Sequence, residues 1–365
     1  MKPDEAPNIQ LAGKENFAEA MQRIYAWFEC EVIDRPPVKF ATHNSQYNAA
    51  GTNIQYTKEE WKARYFDTET VVEDFIKSIE GRKFPAENFP VYWPNLGPDI
   101  YAAFYGSELI YDEVTSWAQP CVIDESDVDK LIFNPANEYY TKIQELTAYA
   151  LERCEGKFMV GYTDLHPGLD CALSWRGPGQ LCLDTIENRE LIKRMIGIAS
   201  KGFAPLFNEY HRILKQAGQP SVNWLEIPSF QEMHIPSCDF ATLISPADFE
   251  EFGLPLIVEE VKHATHNIFH LDGKGVAKNI DSILEIPEIQ CIQWAQGVAD
   301  DQPIMQWVDL IKRIQNAGKG VIVDLQKHEL EEFIDQVSPE GIFLWIPEHD
   351  ETEQEKILQR LKKWS

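Results

Sequence analysis

The chain has 365 residues, and its 33 Lys and Arg against 59 Asp and Glu give a formal net charge of −26. A hydrophobic fraction of 44% and an aromatic fraction of 12% suffice for a large packed core and exclude a globally disordered chain. Because so acidic a surface repels a phosphate backbone and no Lys/Arg cluster of the nucleic-acid type occurs, we expect no nucleic-acid partner.

The N-terminal stretch is polar, and no apolar run approaches the roughly 18 residues of a membrane span. The seven cysteines are scattered and form no CxxC motif. This usage is typical of free thiols in a reducing compartment. We therefore expect a cytoplasmic protein without a membrane partner.

The predicted elements begin with a helix over 14–30, inside an N-terminal helical extension of residues 1–35. In the first half, short apolar segments predict four strands, which cover 38–44, 91–97, 158–165 and 222–228. Long helices are predicted between them, around 57–80, 136–154 and 189–217. Two irregular stretches, 109–123 and 229–244, are interpreted as inserted hairpins.

The second half contains four clear strand–helix units, whose predicted strands cover 267–273, 291–297, 320–326 and 341–348. Repeated units of this kind favour a parallel sheet. Eight strands in βα order predict an α/β fold, a single (β/α)8 TIM-type barrel over 1–365. An open doubly wound sheet is the alternative, but the chain contains neither GxGxxG nor GxxxxGK[ST], so the barrel is favoured.

Polar or aromatic residues follow many of the predicted strands, where a barrel carries its active site. We interpret seven of them as candidate substrate-binding residues: Asn44, Asn95, Asp164, His166, Arg176, Trp224 and Trp294. Loops are polar in any protein, so solvated or capping roles are the alternative. Arg176 could bind an anion or bridge surface carboxylates, and the tryptophans could line a pocket or simply pack in the core.

The sharpest local feature is His270-Leu271-Asp272. Residues i and i+2 of a strand point to the same side, so His270 and Asp272 could share a metal ion or work as an acid/base pair. A hydrogen-bonded pair that only closes the strand end is equally compatible with the pattern. Cys238 could be a soft metal ligand, a nucleophile or an inert buried thiol.

At this point the chain resembles the uroporphyrinogen decarboxylase superfamily, a (β/α)8 group that includes corrinoid-dependent methyltransferases. The resemblance rests on the segments 238–263, 268–275 and 283–297. Residues 33–40 and 91–106 look like an uncharacterised branch near those methyltransferases, often labelled trimethylamine corrinoid protein. The resemblance implies an enzyme that moves a methyl group between a small methylated substrate and a corrinoid, either free or on a partner corrinoid protein.

Two departures from the superfamily pattern matter. The Arg-rich segment after the first strand of the decarboxylases corresponds to 42–51, which contains no Arg, so uroporphyrinogen decarboxylation is disfavoured. The methyltransferases' HxC phrase becomes His270 and Asp272, and strand eight offers Glu348 instead of a Cys. The resemblance therefore implies zinc or another divalent metal in a harder ligand set, drawn from His270, Asp272, Cys238 and Glu348.

Three hypotheses follow. In the first, a corrinoid-type methyltransferase uses His270, Asp272, Asp239 and Glu226 as catalytic residues. In the second, a metal-assisted hydrolase or lyase acts on a small polyol or carbohydrate, with Asp239 and Glu226 as its acid/base carboxylates. In the third, the protein binds a ligand without catalysis, and its strand-end groups satisfy one another.

Overall fold

The computed structural model of the protein describes residues 9–41, 56–297 and 299–364. The strands in this part of the chain are β1 (Val38–Phe40), β2 (Val91–Tyr92), β3 (Leu109–Tyr111), β4 (Ser116–Ala118), β5 (Met159–Val160), β6 (Met233–His234), β7 (His266–Asp272), β8 (Cys291–Ala295), β9 (Gly320–Asp324) and β10 (Ile342–Ile346). The α-helices are α1 (Phe17–Phe28), α2 (Lys58–Tyr65), α3 (Thr68–Ile79), α4 (Ile100–Ala103), α5 (Glu138–Arg153), α6 (Leu169–Arg176), α7 (Pro178–Glu187), α8 (Arg189–Gln216), α9 (Pro246–Asp248), α10 (Leu254–Glu260), α11 (Gly273–Ala277), α12 (Ile280–Leu284), α13 (Val308–Asn316), α14 (Leu330–Gln336) and α15 (Glu351–Leu361).

Six strands form one parallel sheet in the order β1-β10-β9-β8-β7-β6, and β2 pairs with β5, also in parallel. Helices separate successive parallel strands along the chain. The predicted α/β fold with a TIM-type barrel is confirmed. Among the helices of the described residues, none combines the length and the apolar character needed to cross a bilayer.

The two irregular stretches, 109–123 and 229–244, have different structures. The hairpin expected within 109–123 is confirmed, since β3 and β4 pair in antiparallel fashion. The expectation for 229–244 is wrong, because this stretch carries β6, which pairs in parallel with β7.

The strand predicted over 222–228 is not formed. The backbone turns there, with the Glu226 N–H donating to the Asn223 carbonyl at 2.9 Å and Glu226 at φ +58°, and Pro228 has no N–H for a ladder. Only the start of the segment bonds to its neighbour, where the Tyr162 N–H donates to the Val222 carbonyl at 2.9 Å. Between β5 and β7, the barrel wall therefore consists of two short pieces, the start of this segment and β6.

Side chains of the long strands alternate between the two sides of the sheet, as strand geometry requires. On β7, Phe269 and Leu271 pack in the large core beneath the helices, whereas Ile268 belongs to a second apolar cluster inside the barrel. That inner cluster also receives Cys291, Ile322 and Phe343 from β8, β9 and β10. The next inward position on β7 is His270, so a polar layer follows the apolar one towards the carboxyl ends of the strands.

Helix α1 closes the opposite end of the barrel. Trp27 Nε1 donates to the Gly341 carbonyl at 2.9 Å, and Phe28 stacks on His266, with ring centroids 4.1 Å apart. A Cβ at Gly320 would lie 2.9 Å from Trp27 Nε1, so this close approach requires glycine at the start of β9. The carboxyl ends of the strands, called the barrel mouth below, are the end where a site can form.

A buried ion pair ties this N-terminal extension to the barrel wall. Glu87 accepts from Arg35 through both oxygens, at 2.8 and 3.0 Å, from Arg23 at 3.2 Å and from the Val38 N–H at 2.6 Å. The side chain of Glu87 is 0% exposed. One carboxylate thus holds the extension, β1 and the segment before β2 together.

We predict that Glu87→Ala lowers the free energy of unfolding by about 3–5 kcal/mol, because it leaves Arg35 charged and buried without its partner. Urea denaturation measures this loss. The matched control is Glu331→Ala, whose carboxylate pairs with Arg360 at the surface at 2.8 Å and should cost less than about 1 kcal/mol. Equal losses for the two variants would contradict the prediction.

Candidate metal and substrate site

A cavity of about 240 Å³ opens at the barrel mouth, and we call it the small cavity. It is bordered by the ends of the wall formed by β5, β6 and β7 and by the first turns of α4 and α6. Its lining residues are Pro98, Asp99, Tyr101, Ala102, Asp164, His166, Asp170, Cys171, Leu173, Ser174, Trp224, Ser237, Asp239 and His270. Carboxylates, imidazoles and aromatic rings dominate this wall.

Asp239, His270 and Asp272 come together at the edge of the small cavity. Each offers one ligand atom, and these atoms all lie within 4.8 Å of one another. His270 and Asp272 point to the same side of β7 because they are two residues apart, and Asp239 begins a short 3-10 turn after β6. We call these three residues the metal group.

The orientation of His270 is set by the neighbouring strand. The pairing register places Gln293 of β8 opposite His270, and His270 Nδ1 lies 2.7 Å from Gln293 Oε1. Because an amide oxygen only accepts, Nδ1 carries the proton and Nε2 of the neutral ring carries the lone pair. The edge of His270 also packs against Trp224, with centroids 5.3 Å apart and planes at 86°.

Asp170, in the first turn of α6, holds the Asp239 turn in place. Its Oδ2 accepts from Ser237 Oγ at 2.9 Å and from the Asp239 N–H at 3.1 Å, and its Oδ1 accepts from the Phe240 N–H at 3.0 Å. Ser237 Oγ also lies 3.0 Å from His166 Nδ1. Since the serine proton goes to Asp170, His166 Nδ1 is the donor in that contact.

The carboxyl groups of the mouth are hard to ionise together. Asp239 is exposed to water in part, yet the surrounding protein and the negative charges of Asp170 and Asp272 raise its pKa from 3.8 to about 7, against the opposing effect of His270. Burial raises the pKa of Asp164 well above its usual value and lowers that of His166. The site therefore favours a bound positive charge.

The metal group fits a divalent ion. One imidazole nitrogen and two carboxylate oxygens make a three-ligand set of the kind found in catalytic zinc sites, and it also suits other divalent ions that prefer oxygen and nitrogen. The hydrogen bond from His270 to Gln293 is the outer contact that usually accompanies a metal-binding histidine.

Two residues of the predicted ligand set do not belong to this group. Cys238 is buried in the large core, where burial raises its thiol pKa well above normal. The Glu348 side chain is 71% exposed and faces Arg82 at 4.0 Å. The group thus contains His270 and Asp272 from the predicted ligand set together with Asp239, which is predicted as a catalytic residue.

Glu226 lies elsewhere at the mouth. It borders a larger cavity of about 610 Å³ and pairs with Lys39 at 2.7 Å. Lys39 also donates to the Leu225 carbonyl at 3.0 Å and lies over the Trp345 ring at 4.6 Å. Glu226 and Asp239 do not line the same cavity, so the predicted carboxylate pair is not brought together.

Of the predicted substrate-binding residues, Asp164, His166 and Trp224 line the small cavity. Trp294 does not, because it occupies an outward position on β8 and packs against Trp307 with centroids 4.9 Å apart. Asn44 lies outside the described residues.

Two more of the predicted substrate-binding residues, Arg176 and Asn95, have structural roles instead. The Arg176 guanidinium binds Asp184 at 2.7 Å and the Val122 carbonyl at 2.9 Å, so it does not reach the small cavity. Asn95 caps a turn by accepting from the Gly97 N–H at 2.7 Å, and it borders a different surface depression.

The residues of the mouth that sequence patterns do not single out include Lys39, Asp170, Ser237 and Gln293. Gln293 and Lys39 could have been found from strand alternation alone, since Gln293 is two residues after inward-facing Cys291. Nothing in the local sequence marks Asp170 or Ser237, which meet across 67 positions of the chain.

No protein-family model matches the chain, and no curated protein matches it. Among solved structures, a methyltransferase from Methanosarcina mazei is similar, with a TM-score of 0.56 and 13% identity over 94% of this chain and 97% of that chain. The homocysteine methyltransferase MmuM from Escherichia coli, in its oxidized form, aligns with a TM-score of 0.36 and 11% identity over 93% of this chain and 99% of that chain. The first likeness shows a shared fold, and the second is too distant to carry an argument.

We predict that the protein binds one Zn²⁺, Mn²⁺ or Co²⁺ ion per chain and that Asp272→Asn and His270→Ala abolish this binding. Gln293→Leu should weaken the affinity by about 10- to 100-fold, as losses of outer-shell contacts do. Calorimetry on EDTA-treated protein measures both effects. Cys238→Ser and Glu348→Gln are the controls, and loss of binding in either one would contradict the assignment.

A second prediction concerns pH and the metal-free protein. Because the folded-state pKa of Asp239 is raised from 3.8 to about 7, the folded state holds a proton that the unfolded state releases between these values. The contribution of Asp239 to stability is therefore lost progressively as pH rises through this window.

Urea denaturation of EDTA-treated protein at pH 5 and pH 8 measures this effect. Asp239→Asn should make stability less dependent on pH, whereas Asp335→Asn, an equal charge change on the exposed surface of α14, should not. An unchanged pH dependence in the Asp239 variant would show that this carboxyl titrates normally.

Proposed function

We propose that the protein is a methyltransferase that moves a methyl group between a small methylated substrate and a corrinoid, free or on a partner protein, with a divalent metal at Asp239, His270 and Asp272. The observation that carries the proposal is the metal group at the edge of a cavity of about 240 Å³. The shared fold with a methyltransferase from Methanosarcina mazei supports the same reaction class.

A metal ion at this group would stabilise the substrate heteroatom that loses or gains the methyl group. A bound divalent ion supplies Lewis acidity, which stabilises negative charge on a heteroatom. Gln293 fixes the His270 ring through the 2.7 Å hydrogen bond to Nδ1, and Asp170 fixes the turn that carries Asp239. Two of the three ligands are therefore positioned by hydrogen bonds before any ion binds, and Asp272 is positioned by β7 itself.

Proton handling falls to the residues beside the metal group. When a methyl group leaves a heteroatom, the bonding electrons stay on the heteroatom, which then gains a proton or keeps one it already has. His166 is hydrogen-bonded to Ser237, which is bonded in turn to Asp170. These two hydrogen bonds orient the His166 ring so that its Nε2 is a proton acceptor at the wall of the small cavity.

The size of the small cavity supports a small substrate inside it and a corrinoid outside it. Sites for drug-sized ligands measure about 300–1,000 Å³, so a cavity of about 240 Å³ suits a smaller molecule. A corrinoid macrocycle would have to approach from outside the mouth. A bound corrinoid would supply the cobalt electron pair for the transfer.

The charge of the small cavity argues against a porphyrinogen substrate. Of the described residues that line it, none is Lys or Arg, and a polycarboxylate would meet Asp99, Asp164 and Asp170. The hydrolase alternative loses its carboxylate pair, since Glu226 faces Lys39 in the larger cavity. Methyl transfer therefore remains the better-supported reaction.

The test is a methyl-transfer assay with methylcobalamin or cob(I)alamin, metal-loaded protein and a panel of small methylated amines, ethers and thiols. The absorbance of the corrinoid reports the change at cobalt. We predict substrate-dependent turnover in the wild type and a fall in kcat/KM of more than about 100-fold in Asp272→Asn, since outer-shell losses alone reach that range.

The matched control is Glu348→Gln, which removes a carboxylate at the same barrel mouth outside the metal group and should keep kcat/KM within about twofold, as an exposed side chain is expected to do. Absence of any corrinoid change across the panel, with metal bound, would overturn the proposal. Release of sugar or polyol fragments in the same reactions would favour the hydrolase instead.

A further inference from the structure

Four carboxylates line the small cavity, and three of them already have an assignment. Asp99 accepts from Ser174 Oγ at 2.6 Å and from the Ala118 N–H at 2.8 Å. Asp170 accepts three hydrogen bonds that hold the Asp239 turn, and Asp239 belongs to the metal group. Asp164 remains.

Asp164 is buried without a hydrogen bond on one oxygen. Its side chain is 6% exposed, and among the described residues none donates to its Oδ1. Buried polar atoms are almost always paired, because leaving one unsatisfied is costly. An unpaired carboxylate oxygen in a cavity wall is therefore a place where a ligand donor is expected.

The neighbouring His166 side chain does not satisfy this oxygen. His166 Nε2 lies 3.8 Å from Asp164 Oδ1, which is beyond hydrogen-bond distance. Because His166 Nδ1 donates to Ser237, Nε2 of the neutral ring is an acceptor as well. Two acceptors thus face the same space, and a group with N–H donors could bond to both.

We propose that the small cavity binds the protonated amine of a small organic cation, with Asp164 as its counter-ion and His166 Nε2 as a second acceptor. The absence of Lys and Arg from the described lining residues leaves the positive charge to the ligand. Trp224 and Tyr101 add aromatic surface that favours an alkylated cation. In linking this amine to methyl transfer, the inference rests on the proposed function.

The test measures binding to EDTA-treated protein at neutral pH by calorimetry, so that neither metal nor corrinoid is needed. The probes are methylammonium, dimethylammonium, tetramethylammonium and neutral 2-propanol. We expect one site per chain for the first two, and binding at least about tenfold weaker for tetramethylammonium, which lacks the N–H that a charge-assisted bond requires. 2-Propanol should be as weak or weaker.

Asp164→Asn should weaken dimethylammonium binding by at least about tenfold through loss of the charged acceptor. Asp335→Asn is the control with the same change in net charge on an exposed helix surface, and it should keep the wild-type affinity. If Asp164→Asn does not fold, the probe series on the wild type decides. Equal binding of tetramethylammonium, or no binding of the two amines, would overturn the inference.

Asp272→Asn separates this inference from the proposed function, because Asp272 belongs to the metal group but does not line the small cavity. It should lose methyl transfer and still bind dimethylammonium. Amine binding without methyl transfer in the wild type would keep the inference and reject the reaction. Methyl transfer from an uncharged ether without amine binding would reject the inference and keep the reaction.

Discussion

The hydrogen bond between His270 Nδ1 and Gln293 Oε1 is the interaction on which the barrel mouth depends. It forms because β7 and β8 pair in parallel with His270 directly opposite Gln293, and because both residues take inward positions of their strands. A shift of one residue in this register would turn the imidazole into the apolar layer beneath the helices and break the metal group. The apolar cluster under it, with Ile268 and Cys291 on the same strands, therefore fixes the chemistry as well as the packing.

The buried carboxylates of the molecule differ in what surrounds them, and this difference separates scaffold from site. Glu87 and Asp170 each accept three or more hydrogen bonds, and both tie distant segments together. Such groups hold the geometry because their oxygens are hydrogen-bonded to several segments at once. Asp164 is buried, as Glu87 is, but it has an oxygen without a donor. A fold that satisfies its structural carboxylates so fully makes the exception informative.

Strand alternation explains how much of this could be predicted. The long strands β7–β10 were predicted within one or two residues at their starts, and the shared orientation of His270 and Asp272 followed from their spacing. Trp294 was placed at the mouth because it lies near a strand end, but its outward parity sends it into the helix layer. The prediction of Cys238 as a ligand is wrong for a similar reason. Its thiol is chemically suitable and lies beside Asp239 in the sequence, but the side chain is buried in the core.

The rest of the site could not be predicted because it depends on contacts between distant segments. The strand expected over 222–228 is broken by a turn with Glu226 at positive φ, and this turn directs Glu226 to Lys39 instead of Asp239. Asp170 and Ser237 meet only after α6 packs beside the end of β6. Short-range sequence patterns cannot predict contacts between such distant segments, whereas they do predict which side of a strand each side chain faces.

The presence of a carboxylate at position 272 has a consequence for charge across the whole mouth. Two carboxylates and one neutral imidazole balance the charge of a divalent ion, so a loaded metal group would be close to neutral. Asp99 and Asp170 are stabilised by hydrogen bonds from the chain itself. Asp164 is then the carboxyl group whose charged form no described residue or bound metal would stabilise, and its burial makes an unpaired charge costly. In the proposed function, the metal and the substrate would thus be recognised by different carboxyl groups of one mouth, and the substrate side would call for a positive charge.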